Sequence, residues 1–166
     1  MAELMLRPAV IGDAPTLAYI QTQAWKAAFG DILTSEVLTQ ATNLDESENM
    51  YRYVLDQRLA HVSLQCVDGI PQGITAWSKN RDNLGVDTAE LICIHSLPQF
   101  WGQGYGSHMI QHVLKEAKNA GYDRLVLWVF DSNERARRFY EKHGFCLADR
   151  VKETLGAKEV MYAISL

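Results

Sequence analysis

The chain has 166 residues, of which 48% are hydrophobic and 22% charged, the composition of an ordinary globular domain that we expect to span residues 1–166. A formal net charge of −4 argues against nucleic acid as the main partner, since phosphate recognition needs a basic face. The three cysteines include no CxxC pair, which excludes a disulfide scaffold. No apolar run reaches the roughly 18 residues of a membrane span, so we expect a cytoplasmic protein without a membrane partner.

The first half of the chain predicts a strand, two helices and a β-hairpin, in that order. Their expected ranges are residues 4–9, 11–30, 45–57 and 60–78. Asp13 is placed to cap the first helix and Gly30 to end it. Asp68-Gly69 has the composition of a two-residue hairpin turn.

The second half alternates strands with helices. The expected strands are residues 87–96, 123–130, 145–151 and 158–165, and the expected helices are 107–120 and 133–144. The almost continuous apolar run in 123–130 is typical of a central strand covered on both faces. The order of elements indicates an α+β fold with one βαβ unit over Leu91 to Phe130.

The stretch WGQGYGS, residues 101–107, separates the strand from the helix of that unit. Its glycines, at positions 102, 104 and 106, carry no Cβ, so an anion can approach the main chain closely. The helix that follows exposes unpaired N–H groups and a partial positive charge at its N-terminus. The loop therefore predicts a pyrophosphate site, with a tight turn that binds no ligand as the alternative.

Two familiar nucleotide motifs fit this loop poorly. A P-loop requires lysine after its last glycine, and here Ser107 follows Gly106 directly. The dinucleotide fingerprint G-x-G-x-x-G is matched by Gly102 and Gly104 but not by Ser107. Because this loop falls two thirds of the way along the chain rather than at its start, a dinucleotide-binding domain is kept only as an alternative.

The loop and the segment after it resemble the GCN5-related N-acetyltransferases, the GNAT family. The acetyl-CoA motif of that family is Gln/Arg-x-x-Gly-x-Gly/Ala, and Gly104 and Gly106 fill its glycine positions, while Trp101 replaces the Gln or Arg. The next family motif is Asn-x-x-Ala-x-x-x-Tyr-x-x-x-Gly-Phe. It is matched without a gap by Asn133, Ala136, Tyr140, Gly144 and Phe145.

The resemblance implies a GNAT fold, in which a central mixed, mostly antiparallel sheet carries helices on both faces. The parallel strands, here Ala89–Ser96 and Arg124–Phe130, would splay apart and hold acetyl-CoA. Its pantetheine arm would pair with the exposed backbone of Ile94 to Ser96. The cofactor-binding residues implied are Ile94, His95, Ser96, Trp101, Gly102, Gln103, Gly104, Tyr105, Gly106, Ser107, Asn133, Arg137 and Tyr140. The family needs no metal, and we interpret His108 and His112, four residues apart, as surface histidines.

The resemblance also implies the catalytic residues. Tyr140 stands at the family tyrosine that protonates the departing thiolate, with core packing as the alternative role. Glu90 lies six residues before Ser96, where histone-acetylating members carry their base, and strand alternation would place it on one face with Ile94. His95 is the rival base. Trp25 and Phe29 are expected to line the acceptor pocket, or alternatively to pack in the core.

These features predict an acetyl-CoA-dependent N-acetyltransferase that transfers the acetyl group directly to a primary amine of a small molecule or peptide. The alternatives are a non-catalytic CoA-binding regulatory module and a dinucleotide-binding domain. Because members of the family often dimerise, the resemblance also allows a homodimer.

Overall fold

The computed structural model describes residues 1–166 as seven strands and five α-helices. The strands are β1 (Leu4–Pro8), β2 (His61–Val67), β3 (Ile70–Lys79), β4 (Thr88–Ser96), β5 (Arg124–Phe130), β6 (Cys146–Thr154) and β7 (Ala157–Ser165). The helices are α1 (Ala14–Phe29), α2 (Ser35–Ala41), α3 (Leu44–Asp56), α4 (Tyr105–Asn119) and α5 (Glu134–Lys142). None of these helices has both the length and the apolar composition that a membrane crossing requires.

All seven strands form one sheet in the order β1-β2-β3-β4-β5-β7-β6. Only β4 and β5 run parallel, and their pairing extends from Thr88 opposite Arg124 to Leu91 opposite Leu127. Beyond that point the two strands diverge, and β5 continues its pairing with β7 instead. The predicted mixed sheet with a splayed parallel pair is confirmed.

Helices cover both faces of the sheet. On one face, α4 and α5 pack against β4 and β5, and Ile110, Val113 and Leu127 belong to the core there. On the other face, α1 and α3 pack against β2 and β3 around Leu17 and Tyr51. The gap between the diverging ends of β4 and β5 therefore opens to both faces of the sheet, with α4 and α5 on one side and α1 and α3 on the other.

The helix α2 was not predicted from the sequence. It has only seven residues and buries none of them, so it lacks the apolar periodicity by which longer helices are found. The side chain of Thr34 caps it by accepting a hydrogen bond from the amide of Val37 at 3.3 Å. The other predicted elements are present with boundaries that differ by a few residues.

A β-bulge in β4 changes which residues share a face of the sheet. Ala76 pairs with Cys93 and Trp77 with Leu91, so Ile92 is left as the extra residue. Beyond the bulge, Ile94 packs with the core beneath α4, whereas Cys93 packs with the core beneath α1. The prediction that Glu90 and Ile94 share a face is wrong, because the inserted residue inverts the alternation between them.

Candidate functional site

The glycine loop closes onto the N-terminus of α4 in a conformation that requires glycine. Gly102 and Gly104 have φ angles of 73° and 86°, in the left-handed region that side chains disfavour. A Cβ at either position would meet no heavy atom within 4 Å. The space beside both residues is therefore open, and it leads to the first turn of α4.

Gly106 has a different role from the other two glycines. A Cβ there would lie 3.2 Å from the ring of Phe139 on α5, which is closer than packed atoms normally approach. The third glycine thus lets α4 and α5 pack together.

A cavity of about 530 Å³ lies between this loop and α5. Its walls are formed by the end of β4, the glycine loop, the first turn of α4 and one side of α5. The lining residues are Ile94, Ser96, Phe100, Trp101, Gly102, Gly104, Gly106, Ser107, Met109, Arg135, Ala136, Phe139, Tyr140 and Lys142. Two cationic side chains and a helix N-terminus make this cavity suited to an anionic group.

Trp101 and Arg135 meet in the wall of this first cavity. The indole N–H of Trp101 donates to the carbonyl of Ser96 at 2.9 Å, which fixes the ring. The guanidinium carbon of Arg135 lies 3.6 Å from the centre of the indole, a cation–π contact. Arg135 makes no ion pair with a carboxylate, and partial burial lowers its pKa below the usual range. The stacked pair therefore presents an uncompensated positive charge beside the glycine loop.

A second cavity of about 320 Å³ opens on the opposite face of the sheet, beneath α1 and α3. Of its 24 lining residues, 18 are hydrophobic. Trp25 and Phe29, which were expected to line an acceptor pocket, are both in its wall. Their rings pack edge to face, 5.0 Å between centres.

Tyr140 is one of the few residues that line both cavities. Ile94 does so as well, on the other side of the gap between β4 and β5. Tyr140 is 9% exposed, and its burial raises the pKa of the hydroxyl well above the usual value, a shift that the charge of Arg135 opposes. The hydroxyl therefore stays protonated near neutral pH, at the point where the two cavities meet.

Comparisons with known proteins agree on one family. The sequence profile of the Acetyltransferase (GNAT) family matches residues 25–145. An uncharacterized N-acetyltransferase of Mycobacterium tuberculosis is 27% identical over 146 residues, which are 87% of this chain and 90% of the relative. The chain belongs to the GNAT acetyltransferase family.

Solved structures share the GNAT fold of this chain. PaiA N-acetyltransferase from Thermoplasma acidophilum, in complex with coenzyme A, superposes with a TM-score of 0.81 at 19% identity and covers 99% of both chains. YncA from Salmonella typhimurium, solved with its cofactor acetyl-CoA, has a TM-score of 0.70 at 19% identity, over 98% of this chain and 93% of that one. The family match leaves the dinucleotide-binding alternative without support.

Several residues expected to bind the cofactor do not line the first cavity of this GNAT fold. Arg137 donates to Asp131 at 2.8 Å and to the hydroxyl of Tyr162 at 3.0 Å, so its guanidinium is already occupied. Asn133 caps α5 by accepting from the amide of Ala136 and lines the second cavity instead. The side chains of Gln103 and Tyr105 line neither cavity.

His95 lines the second cavity rather than the first. Its Nε2 accepts a hydrogen bond from the indole N–H of Trp25 at 3.1 Å, so the proton of the neutral ring is on Nδ1. Burial lowers the pKa of His95 to about 4. Because its free lone pair is already used, His95 serves here to position Trp25.

Glu90 lines neither cavity. Its carboxylate is 2% exposed and pairs with the Arg81 guanidinium at 2.6 Å, while also accepting from the Arg81 backbone amide at 3.1 Å. This pair ties the β3–β4 loop to the sheet where β4 and β5 are still paired. The placement favours a structural role for Glu90 over that of a base.

The histidines of α4 form no metal-ligand set. His112 lies 3.2 Å from Glu116 on the same helix, and no third ligand completes a group around them.

Arg135 lines the first cavity but was not among the cofactor-binding residues that the resemblance implied. The sequence shows three arginines in one turn of α5, at positions 135, 137 and 138, and of these only Arg137 was expected to bind the cofactor. Arg137 pairs with Asp131, and Arg138 pairs with Glu134. Arg135 is the arginine of the three that has no carboxylate partner. The pair of Arg138 with Glu134 follows from helix geometry, because the two residues are four apart in α5. The pair of Arg137 with Asp131 depends on how the chain enters α5 from β5.

Proposed function

We propose that this chain is an N-acetyltransferase that moves the acetyl group of acetyl-CoA directly to a primary amine of a small molecule or peptide. The observation that carries the proposal is the junction at Tyr140, where a cavity suited to an anion meets a largely apolar one. CoA complexes of structures with the same fold support the choice of cofactor.

The residues of the first cavity fit the cofactor. The free amides at the start of α4 and the guanidinium of Arg135 would hold the pyrophosphate, and the open space at Gly102 and Gly104 would admit it. The pantetheine arm would follow β4 towards Tyr140, pairing with the backbone at Ile94. At Ser96 the carbonyl already accepts from Trp101, so we expect no strand-like pairing there.

Acetyl-CoA supplies the acetyl group as a thioester, and Tyr140 at the junction of the two cavities supplies a proton to the leaving sulfur. An alkyl amine is about one part in a thousand neutral at pH 7, so it must lose a proton before it attacks. As the nitrogen bonds to the carbonyl carbon and the carbon–sulfur bond breaks, the hydroxyl of Tyr140 donates a proton to the sulfur. The protons released by the amine restore Tyr140 and pass to solvent, which leaves an amide and free CoA.

Direct transfer is favoured over an acyl-enzyme because no activated nucleophile lines the junction. Cys93 is the cysteine in the second cavity, and burial raises the pKa of its thiol to about 11. At neutral pH the thiol is therefore protonated and a weak nucleophile.

Thermal unfolding and a thiol-release assay test the proposal together. Acetyl-CoA at about 100 times its Kd should add about 2.7 kcal/mol of stability, a rise in Tm of roughly 5–10 °C, whereas NAD should add nothing. Incubation with acetyl-CoA and a panel of primary amines should release free CoA. A Tm shift with no CoA release for any amine would favour the non-catalytic CoA-binding module.

A further inference from the structure

The wall of the second cavity contains several aromatic rings. Five of them come from α1, α3 and β5, and they are Trp25, Phe29, Tyr51, Trp128 and Phe130. Phe29 packs edge to face on both Trp25 and Phe130, each at 5.0 Å between ring centres, so these three rings form a continuous surface. A ligand that enters this cavity exchanges water for apolar contacts.

The polar atoms of those rings are already paired with protein groups. The indole N–H of Trp25 donates to His95, and that of Trp128 donates to the Asp82 carboxylate at 2.8 Å. The Tyr51 hydroxyl donates to the side-chain oxygen of Gln21. The aromatic wall therefore offers a ligand its faces and almost no free hydrogen-bonding atoms.

One carboxylate lines the second cavity, and it is unpaired. Glu159, near the start of β7, makes neither an ion pair nor a side-chain hydrogen bond, and the charge of Arg81 acts on it only at longer range. Its cross-strand neighbour Lys152 lies over the ring of Trp128 instead, 4.4 Å from the ring centre. The cation among the lining residues, Arg135, stacks on Trp101 in the wall of the first cavity.

We propose that the acceptor is a small primary amine with one positive charge and an apolar, aryl or branched alkyl body, and that Glu159 attracts its ammonium group. This inference rests on the proposed N-acetyltransferase function and names its substrate class. A polyamine or an aminoglycoside would place further charges or hydroxyls against the aromatic wall without partners, at a large desolvation cost. An amino acid would bring a carboxylate towards Glu159.

A matched amine panel tests the substrate class. We expect kcat/KM for 2-phenylethylamine to exceed that for phenylalanine, spermidine and kanamycin by about tenfold or more, measured as CoA released. Phenylalanine differs from 2-phenylethylamine only by its carboxylate, so this pair isolates the charge preference of the cavity. Spermidine or kanamycin as the better substrate would overturn the inference and leave the acetyltransferase proposal intact.

The variant Glu159→Gln tests the attraction of the ammonium. It should raise the KM for 2-phenylethylamine about tenfold, the usual effect of losing one charge-assisted contact, and leave kcat within about twofold. Glu153→Gln is the matched control, because Glu153 is exposed on β6 and lines neither cavity. An unchanged KM in the Glu159 variant would overturn the assigned role of Glu159. If acetyl-CoA binds but no amine of the panel causes CoA to be released, the proposed function and this inference are refuted together.

Discussion

Tyr140 is the residue on which the proposed chemistry depends most directly. Tyr140→Phe keeps the ring and removes the proton that the sulfur would receive, so kcat should fall by about 10² to 10⁴ with little change in the KM for acetyl-CoA. Steady-state kinetics measure both constants. Tyr162→Phe is the control, because this buried hydroxyl bonds Glu141 and Arg137 outside both cavities. A Tyr140 variant at full rate would assign the ring to core packing alone.

We propose that Arg135 contacts the cofactor, a role that the family resemblance had given to Arg137. Arg135→Ala should weaken CoA binding about tenfold in calorimetry, because it removes the unpaired guanidinium beside the glycine loop. Arg138→Ala is the matched control, since Arg138 lies on the same helix and pairs with Glu134 in solvent. Equal losses in the two variants would show a general charge effect of α5 and would contradict a direct contact.

The loop between β4 and α4 is tested by a pair of glycine variants. Gly104→Val should abolish CoA binding, because a branched side chain would enter the open space above the first turn of α4. Gly69→Val provides the control in the β2–β3 turn: its φ is 77°, close to the 86° of Gly104, and a Cβ there also meets nothing. Both variants should lose similar stability, but Gly69→Val should bind CoA normally. Normal binding by a folded Gly104 variant would place the ligand elsewhere.

The ion pair between Glu90 and Arg81 fastens the β3–β4 loop to the sheet. Glu90→Gln should lower the free energy of unfolding by about 1–3 kcal/mol, because a buried carboxylate and its three hydrogen bonds are disturbed. Turnover should stay within about twofold of the parent. Urea unfolding and kcat measured on the same preparation separate the two roles. A large loss of rate at unchanged stability would restore Glu90 as a base.

The stability of the whole chain should depend on pH through His95. Its pKa of about 4 lies below the ordinary value of 6.5, so between these limits the unfolded state binds more protons than the folded state. Stability is therefore fully present above about pH 6.5 and is lost as pH falls towards 4, by up to about 3 kcal/mol. His95→Gln should flatten this part of the stability profile, measured by urea unfolding at a series of pH values. An identical slope in the variant would contradict the assignment.

Three expectations about the whole protein stay predictions. They are a single domain over residues 1–166, a cytoplasmic location and a homodimer. The fold is consistent with the first, because both cores share one sheet that runs through the molecule.

Most of the local structure, and the place of the glycine loop between β4 and α4, could be predicted from the sequence. Some features depend only on residues that are close together in the sequence, so they can be identified without the fold. They are the helix and strand periods, the Asp68-Gly69 turn and the glycines after β4. The same holds for Tyr140, because its motif is continuous in sequence.

Which side chains face the cavities could be read only from the folded chain, because it depends on contacts between elements. The bulge at Ile92 places Ile94 and Glu90 on opposite faces of the sheet. The Glu90 carboxylate is bound by Arg81, which lies nine residues earlier in the chain. Arg137 does not line the first cavity, and its guanidinium donates instead to the hydroxyl of Tyr162, which lies 25 residues further along the chain. Spacing along an element predicts which residues share a face only where the element is regular, and packing between elements decides what that face contacts. The absence of an ion pair at Arg135 and at Glu159 could be seen only in the folded chain, because it depends on where the charged side chains of other turns and strands lie.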